Sequence, residues 1–75
     1  MDLGARIKAA RKSAGFSQEE LARRADLSLN GFADIERGYI KDPHYSTLVS
    51  LADALGMSVG ELVGEAADPG KVLAG

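Results

Sequence analysis

Cysteine and tryptophan are absent from the 75 residues, proline occurs twice and histidine once. Without cysteine the chain has neither the disulfide staple of small secreted domains nor a thiolate for zinc, redox or nucleophilic chemistry, so a cytoplasmic setting is expected. A single histidine excludes a multi-histidine metal site. No apolar run approaches the roughly 20 residues needed to cross a bilayer. The N-terminus is amphipathic rather than basic and then apolar, so no targeting or membrane segment is expected. Glycine-rich phosphate loops and metal-ligand spacings are missing, and the chain is too small to bury a pocket with paired catalytic groups. Neither enzymatic activity nor a cofactor is expected. A basic surplus is lacking too. Nine Lys and Arg face eleven Asp and Glu, for a net charge of −2, which at first speaks against a nucleic-acid partner because duplex binders neutralise phosphates.

What remains is ordinary for one small globular domain: 45% hydrophobic residues, 27% charged and a mean hydropathy of −0.08. A domain of this size buries only about 60% of the surface its unfolded chain exposes, so its core must come from compact, mostly local contacts. Leu3, Ile7, Ala10 and Ala14 recur at helical spacing with Arg6, Lys8, Arg11 and Lys12 between them, and Gly15 follows as a stop. Ser17-Gln18-Glu19-Glu20 is a serine-x-x-glutamate capping box, predicting a second helix with Leu21, Ala22 and Ala25 inward. Ser28 caps a third helix carrying Phe32 and Ile35 and running to about Arg37 before Gly38. Gly31 inside it costs about 1 kcal/mol relative to Ala.

Asp42-Pro43 marks a surface loop between Tyr39 and Tyr45, over which Tyr39 is expected to pack. Leu48, Leu51, Ala52 and Leu55 give a fourth helix ended by Gly56, and Ser58-x-x-Glu61 is a second capping box opening a short fifth helix that Gly64 ends. Gly56, Gly60 and Gly64 read as helix stops and a turn. The expectation is an all-α, compact five-helix bundle over residues 1–64. Its shared core is Leu3, Ile7, Leu21, Leu27, Phe32, Ile35, Leu48, Leu51, Leu55 and Leu62. Residues 65–75 read as a flexible tail.

Only three or four residues separate the second and third helices, which suits a helix-turn-helix. Residues 17–38, SQEELARRADLSLNGFADIERG, carry more. With Ser17-Gln18-x-x-Leu21-Ala22, Leu27-Ser28, Ile35-Glu36-Arg37-Gly38 and Leu51-Ala52-x-Ala54-Leu55-Gly56, the chain closely resembles the phage-repressor-like helix-turn-helix regulators of the Xre or Cro type. The resemblance covers about residues 3–63 and implies a lambda-repressor-like DNA-binding domain.

The resemblance implies roles by position. Ser17 and Gln18 match phosphate-holding positions, where a helix N-terminus offers unsatisfied N–H groups and a positive dipole end. Residues 28–37 match the recognition helix that enters the major groove. In it Ser28, Leu29 and Asn30 match base-reading and phosphate positions, and Gly31 lies beside them. Asn30 has the donor and acceptor pair that suits adenine, while Leu29 offers apolar contact to a thymine methyl, to a protein partner or to the core. Asp34 holds a groove-facing position; its carboxylate either accepts from a cytosine amino group or is a solvated helix-face charge. Arg37, Lys41, His44 and Tyr45 match positions along the phosphate backbone, with His44 a loop or cap residue first. Arg11 and Glu36 match a structural ion pair linking the first helix to the end of the third.

Charge balance read locally changes the opening inference. Residues 1–45 carry eight basic and seven acidic residues and residues 46–75 carry one and four, so the acidity lies mostly in the second half. One module makes few contacts, and two about 34 Å apart suit successive major grooves on a palindromic operator. A homodimer is therefore expected, with Met57, Val59 and Val63 as the candidate apolar interface. A protein-interaction module on the same scaffold, using Leu29 and Asp34, is the alternative.

Overall fold

Four of the five described helices start at a residue whose side chain takes a backbone N–H that the helix itself leaves unpaired. The computed structural model describes residues 2–64 and places five helices there: α1 (Leu3–Ala14), α2 (Gln18–Arg24), α3 (Leu29–Arg37), α4 (Tyr45–Leu55) and α5 (Val59–Val63). Asp2, Ser17, Ser28 and Ser58 cap the first, second, third and fifth. Gly15, Gly38, Gly56 and Gly64 follow α1, α3, α4 and α5. The proposed tail, residues 65–75, lies outside the described residues.

The box at Ser58 is complete: its hydroxyl accepts from the Glu61 N–H and the Glu61 carboxylate accepts from the Ser58 N–H. The box expected at Ser17 is only half made. Ser17 accepts from the Glu20 N–H at 3.0 Å, but the Glu20 carboxylate turns to Arg24, one helical turn on, at 2.9 Å. An i, i+4 acid–base pair on the helix face competes with the return contact and wins.

Ile7, Leu21, Phe32, Leu51 and Leu62, one from each helix, are the largest fully buried side chains. Ala22, Ala25, Ile35 and Ala52 join them, and Leu3, Leu27, Leu48 and Leu55 pack against that centre half-buried. α1 rests on α3, α4 and α5, α2 on α3 and α4, and α4 on α5. The apolar stripe expected on α1 is corrected at its end, where Ala14 is exposed and Arg11 is buried instead. Arg11 lies one turn beyond Ile7 on the same face and finds its partners on α3 and in the loop before α2.

Gly4 explains how closely α1 approaches α3. A Cβ there would stand 2.5 Å from the Glu36 carbonyl oxygen and 2.6 Å from that of Ile35, so only glycine lets the first turn of α1 lie against the last turn of α3. Nearby, the Arg6 guanidinium donates to the Leu62 carbonyl at 3.2 Å and the Glu61 carbonyl at 3.5 Å, satisfying two carbonyls at the end of α5.

Candidate nucleic-acid interface

α2 and α3 are joined by four residues, 25–28. Asp26 takes a left-handed backbone conformation, φ 60°, which Asp tolerates better than most residues. Hydrogen bonds from the Asp26 N–H to the Arg23 carbonyl and from the Leu27 N–H to the Ala22 carbonyl hold the turn. Ser28 then caps α3 by accepting from the Gly31 N–H at 3.1 Å.

With Phe32 and Ile35 buried, Leu29, Asn30, Ala33, Asp34 and Arg37 fall on the opposite side of α3, spaced by helical turns. Leu29 and Asn30 are exposed at the first turn and Arg37 at the last, with Ala33 and Asp34 half-buried between. Leu29 is 43% exposed, which removes the core-packing reading for it. Ala33 is the residue sequence reasoning passed over. Its place four residues after Leu29 and four before Arg37 marks it as part of the same stripe, and its methyl can contact a thymine methyl.

Behind the stripe lies a buried polar joint. The Arg11 guanidinium meets the Glu36 carboxylate at 2.7 and 3.4 Å and also donates to the Phe16 carbonyl at 2.9 Å. Gln18 donates its side-chain amide to the other side of the joint, Glu36 Oε1, at 2.8 Å. The pair side chains are only 10% and 4% exposed. Three helices thus meet at one carboxylate, and no buried side-chain polar atom among the described residues lacks a partner. Gln18, expected to hold a phosphate, commits its amide N–H to the joint. Its place at the first position of α2 leaves the helix-start backbone N–H groups as its route to a phosphate.

Arg37 is also engaged. Its guanidinium donates to Asp34 Oδ1 at 3.2 Å and lies 5.0 Å from the centre of the Tyr39 ring. Tyr39 is 74% exposed, so instead of packing over the loop it provides a flat surface for Arg37. The Asp34 backbone carbonyl accepts from the N–H groups of Tyr39 and Ile40 at 2.9 and 3.1 Å, fixing the turn that positions that ring. Lys41 is exposed. His44 sits at the N-cap of α4 without a side-chain cap hydrogen bond, and Tyr45 follows, 70% exposed. The N–H groups of Tyr45 and Ser46 at the start of α4 are therefore open to water or to a phosphate oxygen.

The model of the helix-turn-helix domain family matches residues 2–65. The chain belongs to this helix-turn-helix family. Its curated relatives include the immunity repressor protein of Bacillus phage phi105, 48% identical over 65 residues that cover 87% of this chain and 44% of that protein. Another is the HTH-type transcriptional regulator ImmR of Bacillus subtilis, 37% identical over 65 residues, 87% of this chain and 50% of that one. The chain spans about half the length of these relatives. Among solved structures it is similar to SinR in a SinR protein–SinI protein complex, with a TM-score of 0.80 and 33% identity over 89% of this chain and 65% of that one. It is also similar to the clp gene regulator ClgR from Corynebacterium glutamicum, with a TM-score of 0.78 and 33% identity over 96% and 76%.

Within this helix-turn-helix module the three residues expected at a dimer interface keep part of their apolar surface outward. Met57 and Val59 pack against the core, and Val63 is half-buried. The exposed large apolar side chains among the described residues are Leu29, Tyr39, Ile40 and Tyr45, all between α3 and the start of α4. No described helix is long and apolar enough to cross a membrane.

Proposed function

We propose that this helix-turn-helix module is the operator-reading part of a cytoplasmic transcriptional regulator, a repressor that binds double-stranded DNA as a dimer with α3 in the major groove. One observation carries the reading: α3 presents a stripe from Leu29 and Asn30 to Arg37 while its inner side is locked to α1 and α2 through Glu36. Asn30 reads an adenine edge, Leu29 and Ala33 meet thymine methyls, and Ser28 stands where the helix enters the groove. Ser17, Gln18, Arg37, Lys41, His44 and Tyr45 flank α3 and meet phosphates, which fixes register rather than sequence. Gly31 keeps the first turn of α3 narrow against the groove wall. The names of the curated relatives, an immunity repressor and a transcriptional regulator, support the same direction.

Dimerisation uses the half-exposed edges of Met57, Val59 and Val63, with half-site centres about 34 Å apart. Selection of bound duplexes from a random pool tests both parts. A palindromic consensus supports the reading, and the absence of any enriched sequence overturns it. Joint replacement of Arg37 and Lys41 by alanine should weaken binding to the selected duplex and lower its slope of log affinity against log salt by about 2.

A second reading has its own observation. Leu29 and Ile40, 43% and 40% exposed, together with Tyr39 and Tyr45, give the segment from α3 to the start of α4 an apolar character suited to a protein. The similar SinR structure is one of a complex with the SinI protein. No duplex binding at low salt, together with a protein partner whose capture Leu29→Ala abolishes, would replace the first reading by this one.

A further inference from the structure

We infer that Asp34 is a specificity-determining residue: its carboxylate holds Arg37 back from phosphates and releases it only where the groove offers the carboxylate a donor. The inference rests on the DNA reading and deepens it. Asp34 and Arg37 lie three residues apart on the outward stripe of α3, with side chains 37% and 56% exposed, so both remain reachable by a duplex. Their contact is a single hydrogen bond of 3.2 Å, not a buried two-pronged lock. The Tyr39 ring, 5.0 Å from the guanidinium carbon, supports Arg37 where Asp34 can reach it. That ring is positioned by the backbone carbonyl of Asp34 itself. One residue thus builds the turn with its backbone and engages the cation with its side chain.

The physical consequence is a competition. On arbitrary duplex, Arg37 can neutralise a phosphate only by giving up Asp34, which then faces a groove edge and phosphates of its own sign. At a site presenting a cytosine or adenine amino group under α3, the freed carboxylate accepts a hydrogen bond, and both groups end paired. Non-specific binding is thereby penalised and specific binding is not. An exposed pair is weak enough to be exchanged, unlike Arg11–Glu36, whose burial makes exchange prohibitive.

The test is a double-mutant cycle on the full 75-residue chain, with binding to a random-sequence duplex measured across a salt series, alongside thermal melting of every variant. Asp34→Asn is expected to raise random-duplex affinity about 3- to 10-fold at low salt and to steepen the salt slope by about one phosphate contact, roughly 0.9. In an Arg37→Ala background the same change should give less than about 2-fold, because the cation it frees is gone. An equal gain in both backgrounds would show simple repulsion of phosphate by Asp34 and overturn the inference, as would an unchanged affinity for Asp34→Asn in a chain that binds DNA. Failure of the unaltered chain to bind any duplex at low salt would overturn the DNA reading itself and this inference with it.

Discussion

Glu36 and Arg37 are neighbours on α3, and they meet opposite fates. Glu36 is 4% exposed at its side chain and takes hydrogen bonds from Arg11 and Gln18, whereas Arg37 is 56% exposed and shares one hydrogen bond with Asp34. Both belong to ion pairs, but the pairs do different things. An interior pair is expensive to break because the surviving charge stays out of water. An exposed pair contributes between about 0 and 1 kcal/mol and can be traded for another partner. The inner pair therefore fixes where α3 stands, and the outer pair governs what α3 engages.

The contrast can be broken from the inside first. Arg11→Ala leaves the Glu36 carboxylate with the Gln18 amide alone and strands the Phe16 carbonyl, and should cost about 3 to 5 kcal/mol. That is a large share of the roughly 4 to 11 kcal/mol expected for a domain this small, at about 0.05 to 0.15 kcal/mol per residue. Urea denaturation measures it, and a loss below about 1 kcal/mol would place the pair in the exposed class. Next comes Gly4→Ala, which forces a methyl against the Ile35 and Glu36 carbonyl oxygens. Displacing α1 should cost about 1 to 3 kcal/mol, a fall in melting temperature of about 4 to 8 °C for each kcal/mol.

Gln18→Ala removes a hydrogen bond to a charged group but leaves Arg11 in place, so about 1.5 kcal/mol should be lost by the same denaturation measurement. If Gln18 acts in the joint, random-duplex affinity measured on the folded fraction should change little. On the outer side, Asn30→Ala should leave stability within about 0.5 kcal/mol. At the same time it should relax base preference at one operator position, costing about 1 to 3 kcal/mol in binding to the selected site. Smallest of all is Gly31→Ala. The new methyl meets the Ser28 hydroxyl at 2.9 Å, so a gain of about 1 kcal/mol in helix propensity is offset by a disturbed cap of about 1 kcal/mol. Calorimetry should find a net change below about 1 kcal/mol.

Legibility followed the range of the interaction concerned. The Ser58–Glu61 box and the Ser28 cap could be read from the chain because donor and acceptor lie three residues apart. Glu20 was misassigned for the same local reason, since two partners within one turn compete for it and spacing alone does not rank them. The resemblance pointed to Arg11 and Glu36 as partners, although the charge of Arg11 by itself groups it with the solvated cations of α1. Gly4 and Arg6 carried no visible signal, because the α3 carbonyls and the α5 carbonyls they meet are 31 or more residues away along the chain. Ala33 could have been found by continuing the Leu29 and Arg37 spacing.

Helix limits, the turn between α2 and α3 and the identity of the central apolar residues were dictated by short-range chemistry: caps, glycine stops and repeats of three and four residues. Which charges enter the interior was not. Spacing turns Arg11, four residues after Ile7, and Glu36, four after Phe32, inward, but they stay there only because another helix supplies a partner: a charge leaves water only where opposite charge and hydrogen bonds already wait for it. That supply came from packing α1 and α2 onto the end of α3. The same packing turned Glu36 into a joint and left Arg37 outside with Asp34.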